Sequence, residues 1–309
     1  MDENLVTPLG SCPSPFLAST EVLLGHGSGG KLTADLIEQL FLPTFRNPYL
    51  EKLDDQAVVA VDGVRLAFTT DSYVVTPIFF PGGDIGQLSV HGTVNDLAMS
   101  GARPLYPSAA FILEEGLPLA DLARIVASMR DACATAGVVL VTGDTKVVNR
   151  GSGDRIFINT SGVGRIEHTR VISADQVRAG DRVILSGTIA DHGMAVMSKR
   201  EGLEFETEIR SDTAPLNSLV QAIVEVSPEV HCLRDPTRGG MATCLHEIAR
   251  RACVGMVLDE KSILIRKEVK GACEILGGET HRHRRAQRCR AGSSADARPP
   301  ARAGGADDR

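Results

Sequence analysis

LAFTTDSYVVTPIFFPGGDIGQLSVHGTVNDLAMSG, running from Leu66 to Gly101, opens as an apolar, β-prone run that ends in Thr69, Thr70 and Asp71. It then turns at Pro81-Gly82-Gly83 and enters a helical segment from Asp84, a candidate N-cap, to Ser100, carrying Asn95 and Asp96. Val94, Leu97, Ala98 and Met99 leave Asp96 little solvent-facing helix, and a lone buried charge costs several kcal/mol even after relaxation. Asp96 therefore needs a partner. Two acids where strand and helix meet, facing one cleft, point to a metal.

Working outward, AVVAV (57–61) and RLAFTT (65–70) are joined by Asp62-Gly63, a strong hairpin signal, and Asp54 and Asp55 stand just ahead of the first strand. Downstream, 106–114 reads as a strand. Leu122, Ile125, Val126, Met129 and Cys133 recur at helical spacing over 119–136, which Gly137 closes. Val138 to Thr142 is a short β-branched run leading into a loop, GDTKVVNRGSGD, and 156–166 is a further strand. Upstream, the glycine-rich segment Gly25 to Gly30 precedes a helix with Leu32, Leu36, Ile37 and Leu40 on one face, ending near Pro43.

A second domain opens near 173. Its expected elements are a strand at 182–187, helices at 194–200, 216–226, 241–252 and 268–276, and a strand at 256–258. The loop HCLRDPTRGG (231–240) leads into the third of these helices. The organisation is thus a loose leader (1–20), an N-terminal domain (21–172), a C-terminal α/β domain (173–277) and a tail (278–309). The class is α/β with at least one antiparallel hairpin. After Gly277 the sequence turns Arg-, Ala-, Gly- and Pro-rich with almost no large aliphatic side chain, which predicts disorder; it reads like a reading frame translated out of register.

The 309 residues, 43% hydrophobic and 23% charged, suit an ordinary globular protein with a sizeable core. A net charge of -6, 4% aromatic residues and no Trp argue against a nucleic-acid partner, leaving only the Arg-rich tail in favour of one. Seven scattered cysteines form no C-x-x-C pair and read as reduced thiols of a cytoplasmic protein. No run of about 18 apolar residues argues for a membrane span.

Gly25 to Lys31 fits the first seven positions of G-x-x-x-x-G-K-[ST], but the eighth is Leu32, with no hydroxyl for magnesium, which disfavours a P-loop. His26, His91, His192 and His246 lack ligand spacing, and no serine has a full nucleophile elbow. Singly, Asp55, Asp71, Asp144 and Asp235 each have an ordinary explanation as turn or loop residues.

Taken together, HGSGGKL (26–32), TTDSYVVTPIFFPGGDIGQLSVHGTVNDLAMSGA (69–102), FILEEGLP (111–118), TGDTKVVNRG (142–151) and RDPTRGG (234–240) resemble the HypE family of hydrogenase maturation proteins, over about 26–276. The family lies within the superfamily of aminoimidazole ribonucleotide synthetase, selenophosphate synthetase and thiamine monophosphate kinase. The resemblance implies a two-domain fold with an N-terminal sheet domain that dimerises. It also implies ATP with Mg2+, and ATP-dependent dehydration of a carbamoyl group on a cysteine to a thiocyanate, for the cyanide ligands of nickel-iron hydrogenase. Implied partners are a second copy, the carbamoyltransferase HypF and the HypC-HypD complex. Asp55, Asp71, Asp96 and Asp235 match the magnesium-holding acids. Gly27, Ser28, Gly29 and Gly30 match a loop over the phosphates; Gly143, Asp144, Thr145, Lys146 and Asn149 match a nucleotide-contacting loop, to which Thr70 and Asn95 are added. Lys146 and Asp96 are the catalytic candidates. The family's terminal Pro-Arg-Ile-Cys has no counterpart before Arg309, so impaired dehydratase activity is expected, the alternative being an ATP-binding scaffold or another superfamily ATP-dependent enzyme.

Overall fold

The computed structural model describes residues 19–203 and 208–276. The expectations for the leader up to residue 18 and for the tail from 277, with Cys12 and Cys289, lie outside the described residues. In chain order the first half comprises α1 (Lys31–Leu36), a π-helical stretch (Ile37–Phe41), α2 (Leu42–Phe45), β1 (Ala57–Val61), β2 (Val64–Tyr73), β3 (Phe79–Phe80), β4 (Gly83–Asp84), α3 (Ile85–Ala98), β5 (Arg103–Glu114), α4 (Leu119–Ala136), β6 (Thr142–Val148) and β7 (Ile156–Ile166). The second half carries α5 (Asp191–Arg200), α6 (Asn217–Val226), α7 (Gly240–Ala252) and α8 (Lys267–Ile275).

Five strands form one mixed sheet in the order β1-β2-β7-β5-β6. The hairpin signal holds: Asp62 and Gly63 both have positive φ (49° and 80°), as a tight hairpin turn requires, and β1 and β2 pair antiparallel through Val61 and Val64. β2 and β5 flank β7 antiparallel, and β6 adds to β5 in parallel. Side chains alternate between the two faces of the sheet. On one face α3 and α4 cover Ala109, Ile156 and Ile158 with Ile85, Val90, Val94, Ile125 and Met129. The other face is uncovered, with Phe68, Tyr106 and Ile112 exposed.

Asp84 is the N-cap of α3. Its Oδ1 accepts from the backbone N–H groups of Gly86 (2.8 Å) and Gln87 (3.0 Å) and from Ser128 Oγ on α4 (2.8 Å), so one carboxylate starts the helix and ties its neighbour to it.

Three expectations need correction. The loop predicted at GDTKVVN is a strand: β5 presents a free edge, and its residues Ser108 to Glu114 pair with Thr142 to Val148. Val138 to Val141 leads into that strand, with Val138 buried and the Val139 and Val141 N–H groups donating to the Leu105 and Pro107 carbonyls of β5. The strands expected at 182–187 and 256–258 are irregular chain without a ladder. Among the described residues no strand follows Ile166, and an apolar run becomes a strand only where a partner edge exists, so Val183, Ile184 and Val257 remain 55%, 88% and 100% exposed. The helix expected to stop near Pro43 runs on through the π-helical stretch and α2 to Phe45, two residues beyond the proline.

His91, buried within α3, has Nδ1 3.3 Å from Thr213 Oγ1, and burial pushes its pKa down to about 4 from 6.5. A depressed folded-state pKa gives stability that is complete above the unfolded value of 6.5 and lost as pH falls toward 4, roughly 3 kcal/mol in all. Urea denaturation between about pH 7.5 and 4.5 should show this decline, and His91→Gln should flatten it. An unchanged slope in the variant would assign acid sensitivity to other groups.

Candidate functional site

β2 and α3 place their acids on the helix-covered side of the sheet, and the loop before α7 brings one more. Thr69 Oγ1 lies 2.9 Å from Asp96 Oδ2 and 2.9 Å from the carbonyl of Asp55, while Tyr73 OH donates to Asp71 Oδ2 at 2.8 Å. Burial foremost, then the Asp235, Asp71 and Asp55 carboxylates, push the pKa of Asp96 up to about 10. Burial foremost, then the Asp71 carboxylate, raises Asp235 to about 6, although it takes a hydrogen bond from Asp96. Burial also raises Asp55, against the opposing pull of Arg234. The four acids singled out in the sequence therefore converge.

Asp55 Oδ2 and Asp235 Oδ2 are buried without a hydrogen-bond partner. Such oxygens are costly unless a cation completes them, and an all-carboxylate donor set suits a hard divalent ion. Among the described residues no three His, Cys, Asp or Glu side chains form a ready-made coordination group. Mg2+ does not require one, since it is commonly held by one or two carboxylates with phosphate oxygens and water. The residues fit magnesium brought with a polyphosphate.

Two arginines of the RDPTRGG loop serve this cluster, and the sequence reading overlooked both. Arg234 is engaged through all three of its nitrogens: Nε meets Asp55 Oδ1 at 2.9 Å, Nη2 meets Glu247 Oε2 at 2.9 Å, and Nη1 donates to the Leu53 carbonyl at 3.1 Å. Arg238 donates through Nη2 to the Ser72 carbonyl at 3.0 Å and stands 3.7 Å from Asp71 Oδ1. Charge of the opposite sign beside the acidic motif was the signal that could have found them.

The glycine loop reaches the same place. Gly29 has φ 75°, and a Cβ there would lie 2.4 Å from Arg238 Cβ; one on Gly239 would lie 2.4 Å from the Gly29 carbonyl oxygen. Glycine is required on both sides of this contact. Gly29 N–H donates to Thr33 Oγ1 (2.9 Å), and Ser28 Oγ donates to the Gly25 carbonyl (2.9 Å). Thus Ser28 is turned onto its own loop, while Gly27 and Gly30 complete the turn. A P-loop joins a strand to a helix, and among the described residues no strand precedes β1.

The remaining candidates do not join the acids within one chain. Asp71 pairs with Thr160, Thr160 with Ala109, and Ala109 with Gly143, so β6 lies three strand spacings away, roughly 14 Å. Gly143, Asp144, Thr145 and Lys146 are on that exposed edge strand, and Asn149 follows it, with its carbonyl accepting from Ser152 N–H in a turn. Strand alternation puts Thr70, Asp144 and Lys146 on the uncovered face; Thr70 Oγ1 there accepts from Ser161 Oγ at 2.9 Å. Asn95 is otherwise engaged: its Nδ2 donates to the Ala214 carbonyl and its Oδ1 accepts from Leu216 N–H, fastening the second half to α3.

Gly92 sets the position of Asp71. A Cβ at residue 92 would fall 2.0 Å from Tyr73 OH, the hydroxyl that holds the Asp71 carboxylate. Gly92→Ala should cost about 1–3 kcal/mol by overpacking, measured by denaturation, and should weaken any cation binding that uses Asp71. A variant as stable as the parent would mean that Tyr73 is free to move aside.

The model described as AIR synthase related protein, N-terminal domain, matches residues 53–166, and its C-terminal counterpart matches 178–283. The chain is 55% identical over 262 residues to carbamoyl dehydratase HypE of Cupriavidus necator, covering 84% of this chain and 75% of that protein. A solved HypE-HypF complex superposes with a TM-score of 0.75 at 50% identity, covering 79% of each chain. A hydrogenase maturation protein HypE in complex with ATP superposes at 0.68 and 51% identity, covering 84% of this chain and 77% of that one. The chain belongs to the HypE family of hydrogenase maturation proteins.

Proposed function

We propose that this protein uses Mg2+-ATP to dehydrate a carbamoyl group carried on a cysteine sulfur, giving a thiocyanate for the cyanide ligands of a nickel-iron hydrogenase. The observation that carries the reading is the meeting of Asp55, Asp71, Asp96 and Asp235, two of them with buried, unpartnered oxygens, beside a glycine loop. An amide oxygen is a poor leaving group until it is phosphorylated, so the site must place the γ-phosphate in line and neutralise its charge. Magnesium would supply much of that neutralisation. Asp55, Asp71, Asp96 and Asp235 would hold it, Tyr73 and Thr69 would orient Asp71 and Asp96, and the loop at Gly27 to Gly30 would cover the phosphates. In the overall change the carbamoyl oxygen takes the γ-phosphoryl group as ADP leaves; the nitrogen then gives up its protons as phosphate departs, leaving carbon triply bonded to nitrogen.

The setting of the reading is cytoplasmic, with HypF as carbamoyl donor and HypC-HypD as acceptor, and with no nucleic acid or membrane. Among the described residues no helix is long and apolar enough to cross a membrane. A homodimer is part of the reading. The uncovered sheet face, and the separation of Lys146 and Asp144 from the acids, favour a second copy that brings one chain's β6 to the other's acid cluster. Incubation with HypF, carbamoyl phosphate and Mg2+-ATP, followed by mass spectrometry for a thiocyanate adduct, decides between this reaction and the impaired dehydratase activity expected from the sequence. Intact nucleotide binding without an adduct would favour the ATP-binding scaffold instead.

A further inference from the structure

The acid cluster needs positive charge, and among the described residues Arg234 and Arg238 reach it. Arg234 has its guanidinium committed to Asp55, Glu247 and the Leu53 carbonyl. Arg238 is different. Of its five N–H donors, one engages the Ser72 carbonyl; the 3.7 Å approach to Asp71 is a loose, non-bidentate pairing, and the side chain is 53% exposed. Its Cβ packs on Gly29, so the residue stands where the glycine loop, the end of β2 and the second half meet. Lys146, the cation suggested by the sequence, is about three strand spacings away on the uncovered face.

We propose that Arg238 grips the terminal phosphate of the bound nucleotide, and so is a catalytic residue for phosphoryl transfer within the ATP-dependent reading given above. A planar guanidinium with free donors can clasp phosphate oxygens in a paired geometry, and charge placed on the transferring group acts most strongly in the transition state. The second half then contributes both an acid, Asp235, and a base, Arg238, from one short loop. Docking of that loop on Gly29 would couple closure of the phosphate loop to arrival of the arginine.

The test compares Arg238→Gln and Arg238→Lys with the parent chain by calorimetric titration with Mg2+-ATP and Mg2+-ADP. Both variants keep the Cβ that packs on Gly29. Arg238→Gln should lose at least ~10-fold in affinity for ATP while ADP binding stays within about 2-fold, because only the terminal phosphate loses a partner. Arg238→Lys should fall between, keeping the charge without the fork. Equal losses for ATP and ADP would overturn the proposal in favour of a role in seating the loop, and unchanged ATP binding would reduce Arg238 to a counter-ion of Asp71. Should the parent chain bind neither nucleotide, the ATP reading itself falls. Binding that is intact in the parent but insensitive in both variants removes only the arginine.

Discussion

Asp235→Asn abolishes magnesium-dependent ATP binding and leaves the free protein at least as stable as before: these opposite signs are the expected result of a site held ready for a cation. Asp235 is half-buried, its buried Oδ2 has no partner, and its strongest electrostatic neighbour is another carboxylate, Asp71. Asparagine keeps the shape and removes a carboxylate that Asp71 repels, so Tm should rise by a few degrees, corresponding to about 1–2 kcal/mol. Binding, in contrast, should fall beyond the roughly 100-fold that loss of an outer-shell partner costs at a metal site. Calorimetry with and without magnesium, beside a thermal melt, reads both signs. Unchanged affinity would remove Asp235 from the cation site, and a lowered Tm would show that the cluster is structural.

Arg234→Met should be the most destabilising change in the second half. Arg234 is 18% exposed and its partner Asp55 13%, and the pair joins the segment before β1 to the loop before α7. Removing one member of a buried pair strands the other, at a cost of about 3–5 kcal/mol, whereas removing both is far milder. The double variant Asp55→Asn/Arg234→Met should therefore recover much of the loss in chemical denaturation. Strict additivity of the two single changes would show that they do not act on one another.

Arg234 and Arg238 also mark the limits of what could be read from the chain alone. The hairpin at Asp62-Gly63, the capped helix from Asp84, the 119–136 helix with its terminal Gly137 and the strand at 156–166 all followed from local chemistry. Turn residues, caps and apolar period act over a few neighbouring positions, so they are written where they operate. GDTKVV was different, because nothing local says that β5 will offer it an edge. The same reason works in reverse at 182–187, where a good β-forming run has no edge to join.

The sequence by itself determined the acids, the glycine loop and, through motif resemblance, the family. Only tertiary structure decided which residues work together. Asp55, Asp71, Asp96 and Asp235 are spread over about 180 positions yet act on one another in one cluster, while Thr70, adjacent to Asp71, faces the other way because a strand alternates its side chains. Asn95, adjacent to Asp96, is drawn off by the Ala214 and Leu216 backbone. Residue type is a property of the chain, but charge repulsion, burial and hydrogen-bond partnership depend on distance in space, and that distance is set by the packing of sheet, helices and second half.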